Sequence, residues 1–515
     1  MNMKKAVFSV FAAVLLSACA TNPVTGKKEL SFVGEDWELQ VGAEQYSPSR
    51  QSQGGDYVTD PKVEAYVNSV GQKLAAVSDR KLPYEFKVLN SGVPNAWALP
   101  GGKIAINRGL LLEMQTEAEL AAVLGHEIVH AAAKHGARGV TRGVLLQGGV
   151  MAATVASSGR RLSNLAQLGA GIGAQLINTK YGRNAELESD RYGIIYMARA
   201  GYDPQGAVDL QQTFLNLSNG SERRSDFVSG LFASHPPSAE RLATNKRIVA
   251  SMPKGGEVGR ERYQRNIASL IRSKPAYENY EKAKKALGDK DLATARALAR
   301  KAVAAEPDEG HFHSLLGDIE SAGENHQRAR KHYTDAISRN SNFFYYHLQN
   351  GLVSERAGDY ESARRSLQTS LELLPTANAH NALGNIARAT GRRDEAIEAY
   401  RLAARDNGPA GQSALGSLVD LDLSSNPGTY LVARTQVSSE GRLKVQLQNR
   451  TPRNLGGIAL QINYPDTSGR MRQVTRQING VVAAGKSEVI DIPVIVNTRL
   501  VENLRAGVVS ARIAR

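Results

Sequence analysis

His126-Glu127-Ile128-Val129-His130 is the stretch on which the reading of this chain turns. In a helix, positions four apart lie on one face, so His126 and His130 can present two imidazoles to a single metal ion. Glu127 is offset toward the water that completes such a coordination sphere, where its carboxylate can take the water's proton. The flanking residues favour a helix. Leu120, Ala121, Val123 and Leu124 form an apolar stripe running into the motif, and Glu117 and Glu119 put negative charge near the expected first turn, where it suits the helix dipole. The plainer alternative is a buried histidine pair in an ordinary helix; the complete spacing, with its glutamate, favours a zinc hydrolase.

A catalytic zinc takes three protein ligands and keeps one position open for water. A third histidine six residues after His130 would complete one known ligand pattern, but that position is Gly136. His135 is one residue earlier, and a continuing helix turns it away from His130, so it is expected at the surface. A better candidate lies in Asn184-Ala185-Glu186-Leu187-Glu188-Ser189-Asp190. With the first motif, this stretch resembles the zinc peptidase family of the CaaX prenyl proteases and HtpX, which pairs H-E-x-x-H with a later helix carrying E-x-x-A-D; Ser189 replaces the usual Ala. The resemblance implies that Glu186 is the third zinc ligand. It implies that Asp190, one turn further on the same face, orients a zinc-bound histidine from outside the ligand set. Glu188 is expected to point elsewhere, into solvent.

Further segments carry the same resemblance, which covers residues 36–250. Asn95 to Ile104, with Pro100-Gly101-Gly102 as the turn, is similar to the family's edge hairpin; by analogy with other zinc peptidases that edge pairs with extended substrate backbone. Ala200-Gly201-Tyr202-Asp203-Pro204 and Ser234-His235-Pro236-Pro237-Ser238-Ala239-Glu240-Arg241 also match. His235 has two candidate roles, steadying the oxyanion or occupying zinc's open position as an inhibitory plug, against a structural cap before the next helix. Arg241 either binds a substrate carbonyl or braces this loop. In the implied reaction Glu127 takes the proton of a zinc-activated water and passes it to the leaving amine.

The N-terminus reads as a processing signal. Lys4 and Lys5 precede an apolar run, Ala6 to Leu16, too short to span a bilayer as a mature helix. Leu16-Ser17-Ala18-Cys19 then resembles a bacterial lipobox, which implies a signal peptide over 1–18 and lipidation of Cys19; the alternative is an ordinary signal peptide with an incidental cysteine. Ala20, rather than Asp, favours sorting to the periplasmic face of the outer membrane. Cys19 is the only cysteine, so no internal disulfide forms. The net charge of +14 suits anionic lipid, lipopolysaccharide or acidic clients, and export argues against nucleic acid as a partner.

Beyond a tether (19–35) and a mixed α/β peptidase domain (36–255), the chain repeats itself over 276–408. Ala295, Ala329, Ala363 and Ala396 recur at near-constant spacing, Gly317, Gly351 and Gly384 keep the register with Ala283, and Pro307 and Pro375 close two units. This looks like four tetratricopeptide repeats, helix pairs with small residues at their crossings and a concave surface for partners. A subgroup of exported family members carries such an array. In 425–515, alternation at Leu443, Val445 and Leu447, at Ile458, Leu460, Ile462 and Tyr464, and over Val489 to Val496 predicts a β-sandwich. Residues 143–177, rich in Gly, Ala, Leu and Val and broken at Ser157 to Arg161, read as a helical hairpin on the catalytic core, with a membrane-touching or cleft-gating pair as the alternative.

The expected whole is a multidomain protein: an α+β zincin-like metallopeptidase domain, an all-α solenoid and a C-terminal β-sandwich. Its expected function is zinc-dependent endoproteolysis of misfolded or stalled envelope proteins from an outer-membrane anchor at Cys19, the repeats recruiting clients or assembly machinery. The competing reading is a chaperone or scaffold for envelope protein assembly whose protease is latent.

Overall fold

The computed structural model of the chain describes residues 19–146, 181–219 and 231–514. The expected signal peptide, and the Gly- and Ala-rich segment from residue 147 onward, lie outside the described residues. Two compact units result. One runs up to Gly323 and takes in Asp335–Phe343; the other comprises Glu324–Thr334 and Phe344–Arg515.

The first unit is α+β. Helices α1 (Glu35–Ser52) and α2 (Pro61–Ala75) precede a three-stranded sheet of β3 (Glu85–Leu89), β4 (Ala96–Leu99) and β5 (Lys103–Asn107). Its order is β3-β5-β4, with β3 parallel and β4 antiparallel to β5, so β4 is an edge strand. Asp60 starts α2 by accepting a hydrogen bond from the Lys62 amide, and Val63, Tyr66, Val67, Val70 and Leu74 turn inward as their spacing requires. The β4–β5 turn relies on Gly101 and Gly102, with φ of 75° and 82°.

Helix α3 (Glu117–Ala132) carries the motif and is buried along its whole length. Both its ends are tied down. Thr116 caps the first turn by accepting the Glu119 amide at 3.2 Å, and Glu119 accepts the Gln115 amide in return. Glu117 accepts the hydroxyls of Tyr66 at 2.7 Å and Tyr202 at 2.9 Å and pairs with Arg262. At the far end Arg80 donates to the Ala131 carbonyl at 3.2 Å while pairing with Glu38 at 2.9 Å.

Against α3 lies α5 (Arg183–Arg199), which bears the second motif. The two helices approach closely where Gly125 meets Gly193. A methyl group on Gly193 would stand 3.0 Å from the His126 nitrogen, and one on Gly125 would stand 3.2 Å from the Gly193 carbonyl oxygen. Helix α4 (His135–Leu146) follows α3; α6 (Gln205–Asn219), α7 (Ala239–Ala250) and α8 (Arg260–Asn266) complete this fold.

Residues 19–35, expected as a tether, instead hold an antiparallel hairpin of β1 (Cys19–Thr21) and β2 (Lys28–Leu30). It is fastened to α4: Glu29 pairs with Arg138 at 2.6 Å, and the Phe32 amide donates to Thr141 Oγ1 at 3.1 Å.

The first repeat helices, α9 (Ala268–Gly288), α10 (Leu292–Ala305) and α11 (Gly310–Ala322), belong to this same compact unit. Buried Glu309 joins them to the peptidase fold. It accepts from Asn90 at 3.0 Å, Thr59 at 2.8 Å, the His311 amide at 2.9 Å and the Tyr277 hydroxyl. Arg108 donates to Asn90 at 2.8 Å and lies 3.3 Å from the Tyr277 ring centroid.

Helix α12 (His326–Arg339) contributes residues to both units. The second unit holds the further repeat helices α13 (Phe344–Arg356), α14 (Tyr360–Leu373), α15 (Ala377–Ala389) and α16 (Arg393–Ala403), then α17 (Pro409–Asp422). Its small residues stand at the crossings. A methyl on Gly351 would lie 2.6 Å from Leu367, and one on Gly384 would lie 2.6 Å from the Tyr400 ring. The C-terminal strands β6 (Leu431–Val437), β7 (Arg442–Asn449), β8 (Leu455–Pro465), β9 (Met471–Ile478), β10 (Ser487–Ile495) and β11 (Arg505–Ile513) form two antiparallel three-stranded sheets, ordered β10-β7-β6 and β11-β8-β9. Leu443, Val445, Leu447, Ile458, Leu460 and Ile462 share one apolar cluster with Tyr400 and Leu418 of the preceding helices. Among the described residues no helix is long and apolar enough to cross a membrane.

The contact between α3 and α5 makes a direct prediction. Gly193→Val should force the helices apart and cost about 1–3 kcal/mol of overpacking. A lowered denaturation midpoint of the metal-free protein, together with weakened metal uptake, is the expected result.

Candidate metal centre

Three elements bring the site together: α3 supplies His126, Glu127 and His130, α5 supplies Glu186 and Asp190, and the loop before α7 supplies His235. His126 Nε2 lies 3.0 Å from His130 Nε2. The Glu186 carboxylate is 3.6 Å from the former and 3.5 Å from the latter. His235 Nδ1 joins them, 3.3 Å from His126 Nε2 and 3.1 Å from Glu186 Oε1. One donor atom from each of these four buried residues falls within 4.8 Å of the others.

The electrostatics suit a metal. Burial holds the His130 imidazole well below its ordinary pKa, so it stays neutral with a lone pair to offer. Burial alone would raise Glu186, but His235, His130 and His126 hold it well below the usual carboxylate range, so it remains an anion. Two imidazoles and a carboxylate are a donor set that fits zinc. Glu127 is buried, and burial raises its carboxyl. Its Oε2 has no hydrogen-bond partner among the described residues, while Oε1 faces His235 Nε2 at 3.6 Å. Such an orphaned oxygen beside the donor cluster is suited to a water. Beside it lies a small cavity of about 40 Å³, bounded by His126, Glu127, Leu210, Phe214, Leu231 and His235.

Outside the donor cluster, Asp190 Oδ1 lies 2.9 Å from His126 Nδ1. Arg241 grips the same aspartate with two hydrogen bonds of 2.7 Å, pairs with Glu186 at 3.0 Å and donates to the Pro236 carbonyl at 3.2 Å. Its guanidinium is therefore committed to the site's own carboxylates and to the His235 loop. Of its two candidate roles, this geometry favours bracing over binding a substrate carbonyl. The cap is Ser238, whose hydroxyl accepts the Arg241 amide at 3.1 Å, so His235 is free of that duty.

Two expectations need correction. His135 is not a surface residue: it is 3% exposed, with Nδ1 2.8 Å from His130 Nδ1. Helix α3 ends at Ala132, Lys134 takes a left-handed φ of 58°, and α4 begins afresh at His135, so the phase of α3 does not carry through. Glu188 is not solvated either; it meets His135 Nε2 at 3.1 Å, Arg138 at 3.3 Å and Asn22 at 3.1 Å. Sequence reasoning also missed Tyr181, whose ring stacks on His130 with centroids 4.0 Å apart. Nothing in its local sequence marks it.

Comparison with known proteins places this geometry in context. The model of peptidase family M48 matches residues 61–249, and a tetratricopeptide repeat model matches 280–343 and 348–411. The metalloprotease YcaL of Escherichia coli is 30% identical over 196 residues, 37% of this chain and 74% of its own length. The beta-barrel assembly-enhancing protease of the same species is 27% identical over 250 residues, covering 47% of this chain and 50% of the relative. A counterpart in Vibrio cholerae is 31% identical over 259 residues, with 47% and 51% covered. The chain thus spans about half the length of these last two.

Arg241→Met should leave Asp190 and Glu186 buried without their cation. The expected cost is about 3–5 kcal/mol, as for other buried pairs stripped of one partner, read as a drop in the urea midpoint of the metal-free protein.

Proposed function

The chain belongs to peptidase family M48, and on that premise we propose that it is a zinc endopeptidase that degrades misfolded or stalled proteins of the bacterial envelope. The observation that carries the chemistry is the convergence of His126, His130 and Glu186 beside the orphaned oxygen of Glu127. In this reading those three residues hold zinc, which when bound polarises the scissile carbonyl and acidifies the attacking water. Glu127 Oε2 accepts the water's proton and passes it to the leaving amine. Asp190 fixes the ring of His126, and Arg241 keeps Asp190 and Glu186 in place. The β4 edge supports an extended substrate backbone, with loose sequence preference.

His235 acts as a restraint. Its Nδ1 stands among the donor atoms of the other three residues, and this supports occupation of zinc's open position over oxyanion stabilisation. Lipidation at Cys19 anchors the protein to the periplasmic face of the outer membrane, and the repeats gather clients or dock on assembly machinery. The names of the beta-barrel assembly-enhancing relatives support that setting. The two C-terminal sheets are read as a small β-sandwich. A scaffold with a silenced protease is the competing role, and the restraint at His235 is what favours it.

Glu127→Gln separates these readings. In the purified full-length protein it should retain one zinc per chain and lose casein cleavage by a factor of about 10² or more. His126→Ala and Glu186→Ala should lose the metal itself. His235→Ala should keep zinc and cleave faster than the parent. Cleavage by Glu127→Gln at the parent rate refutes the assignment, and rescue of cellular function by the same variant favours the scaffold.

A further inference from the structure

The two motif histidines differ in what holds their outward nitrogens. His126 Nδ1 meets a carboxylate directly, 2.9 Å from Asp190 Oδ1. His130 Nδ1 meets another imidazole, 2.8 Å from His135 Nδ1. The ring centroids of His130 and His135 are 4.8 Å apart at 76°, and their nitrogens face one another, which is hydrogen-bond geometry rather than stacking.

Proton placement along this contact is determined by chemistry. His130 Nε2 faces the donor cluster, 3.0 Å from His126 Nε2 and 3.5 Å from Glu186 Oε1. To bind a metal it must keep its lone pair there, so the His130 proton sits on Nδ1. His135 Nδ1 then accepts it, which leaves the His135 proton on Nε2, 3.1 Å from Glu188 Oε1. Ser189 Oγ, 3.4 Å from His135 Nδ1, is at the edge of the same contact. Glu188 is held in turn by Arg138 at 3.3 Å and by Asn22 Nδ2 at 3.1 Å. Asn22 stands three residues after Cys19, in the hairpin where a slack tether was expected.

We infer that His135 is a positioning residue for the metal site: it fixes the tautomer and ring plane of His130, Glu188 fixes its own tautomer, and the N-terminal hairpin holds Glu188 through Asn22. The inference rests on the reading of His126, His130 and Glu186 as the ligands. It makes the segment next to the anchoring cysteine a structural part of the metal site. The relay supplies to His130, through one intervening imidazole, what Asp190 supplies to His126 by contact.

The test compares His135→Asn with His135→Leu in the full chain. Asn can return an acceptor oxygen near the position of Nδ1, whereas Leu fills space without one. Zinc affinity is measured by competition with a chromophoric chelator, and folding by melting of the metal-free protein. His135→Asn should stay within about threefold of the parent, while His135→Leu binds zinc about 10–100-fold more weakly at an unchanged metal-free melting temperature. Parent-like affinity in His135→Leu overturns the inference, as does equal weakness in both folded variants. Should His135→Leu not fold, Glu188→Leu and Glu188→Gln probe the relay one bond further out; weaker zinc in the first with recovery in the second supports it, and equal affinities overturn it. A parent chain that takes up no zinc overturns the ligand reading and this inference together, whereas parent-like affinity in His135→Leu overturns this inference alone.

Discussion

A single buried carboxylate, that of Glu186, sets the terms on which the peptidase unit is built. An anion with 3% of its side chain exposed is costly unless charge and hydrogen bonds surround it. Arg241 supplies the charge at 3.0 Å, and His235 supplies a hydrogen bond at 3.1 Å. Arg241 must in turn be held, and Asp190 does so through two parallel hydrogen bonds, a geometry that fixes direction as well as distance. Asp190 spends its remaining acceptor capacity on His126. The carboxylate that faces the donor cluster and the one that orients a histidine are therefore parts of one charge-balanced set, and neither can be changed without disturbing the other.

That set can exist only because two helices pass closely. Glu186 and Asp190 lie one turn apart on α5, His126 and His130 one turn apart on α3, and the rows face each other across the Gly125–Gly193 contact. Without side chains at that crossing, the donor atoms converge without bending either helix. The ends of α3 are fixed by groups from elsewhere in the fold: Arg262 and two tyrosines at Glu117, and Arg80 at the Ala131 carbonyl. A helix pinned at both ends and buried all round has little freedom to shift its histidines, which is what a site with sub-ångström tolerances requires.

What could be read from sequence follows from the range of the interactions involved. His126, Glu127 and His130 are legible because four-residue spacing on a helix is a local property, and Leu120, Val123 and Leu124 declare that helix. The alanines and glycines of the repeats are legible for the same reason, one period later. The place of Glu186 beside the two histidines needed family resemblance, since a carboxylate in E-x-x-S-D carries no local mark of it. His135 was misread because helical phase was carried past the helix end. Five residues advance the phase by about 140° in a continuous helix, but the left-handed Lys134 resets it. The residue that makes the break is a lysine rather than the glycine or asparagine that usually takes a left-handed conformation. Glu309, Arg80 and Tyr181 were invisible because their partners are distant in sequence: Glu309 Oε1 and Asn90 Nδ2 meet across 219 positions. In the C-terminal unit the alternation of single strands was visible, but their pairing into β10-β7-β6 and β11-β8-β9 was not, since register depends on neighbours that the local pattern does not name.

The same physics explains why a histidine suits the restraint proposed at His235. A protease confined among native proteins gains from a blocked site only if the block can leave. A carboxylate there would stand against Glu186 and Glu127 and repel both, and a lysine would form a strong buried pair with them that resists separation. Burial alone would lower the His235 pKa, but Glu186 and Glu127 raise it, so its imidazole can hydrogen-bond to Glu186 and, on losing a proton, offer a lone pair to a metal; the contact is specific and also reversible. Its loop is short, running from Ser234 to the cap at Ser238, and is held by Arg241 at the Pro236 carbonyl. Arg241 thus belongs both to the charge set around Glu186 and to the support of the loop that carries His235.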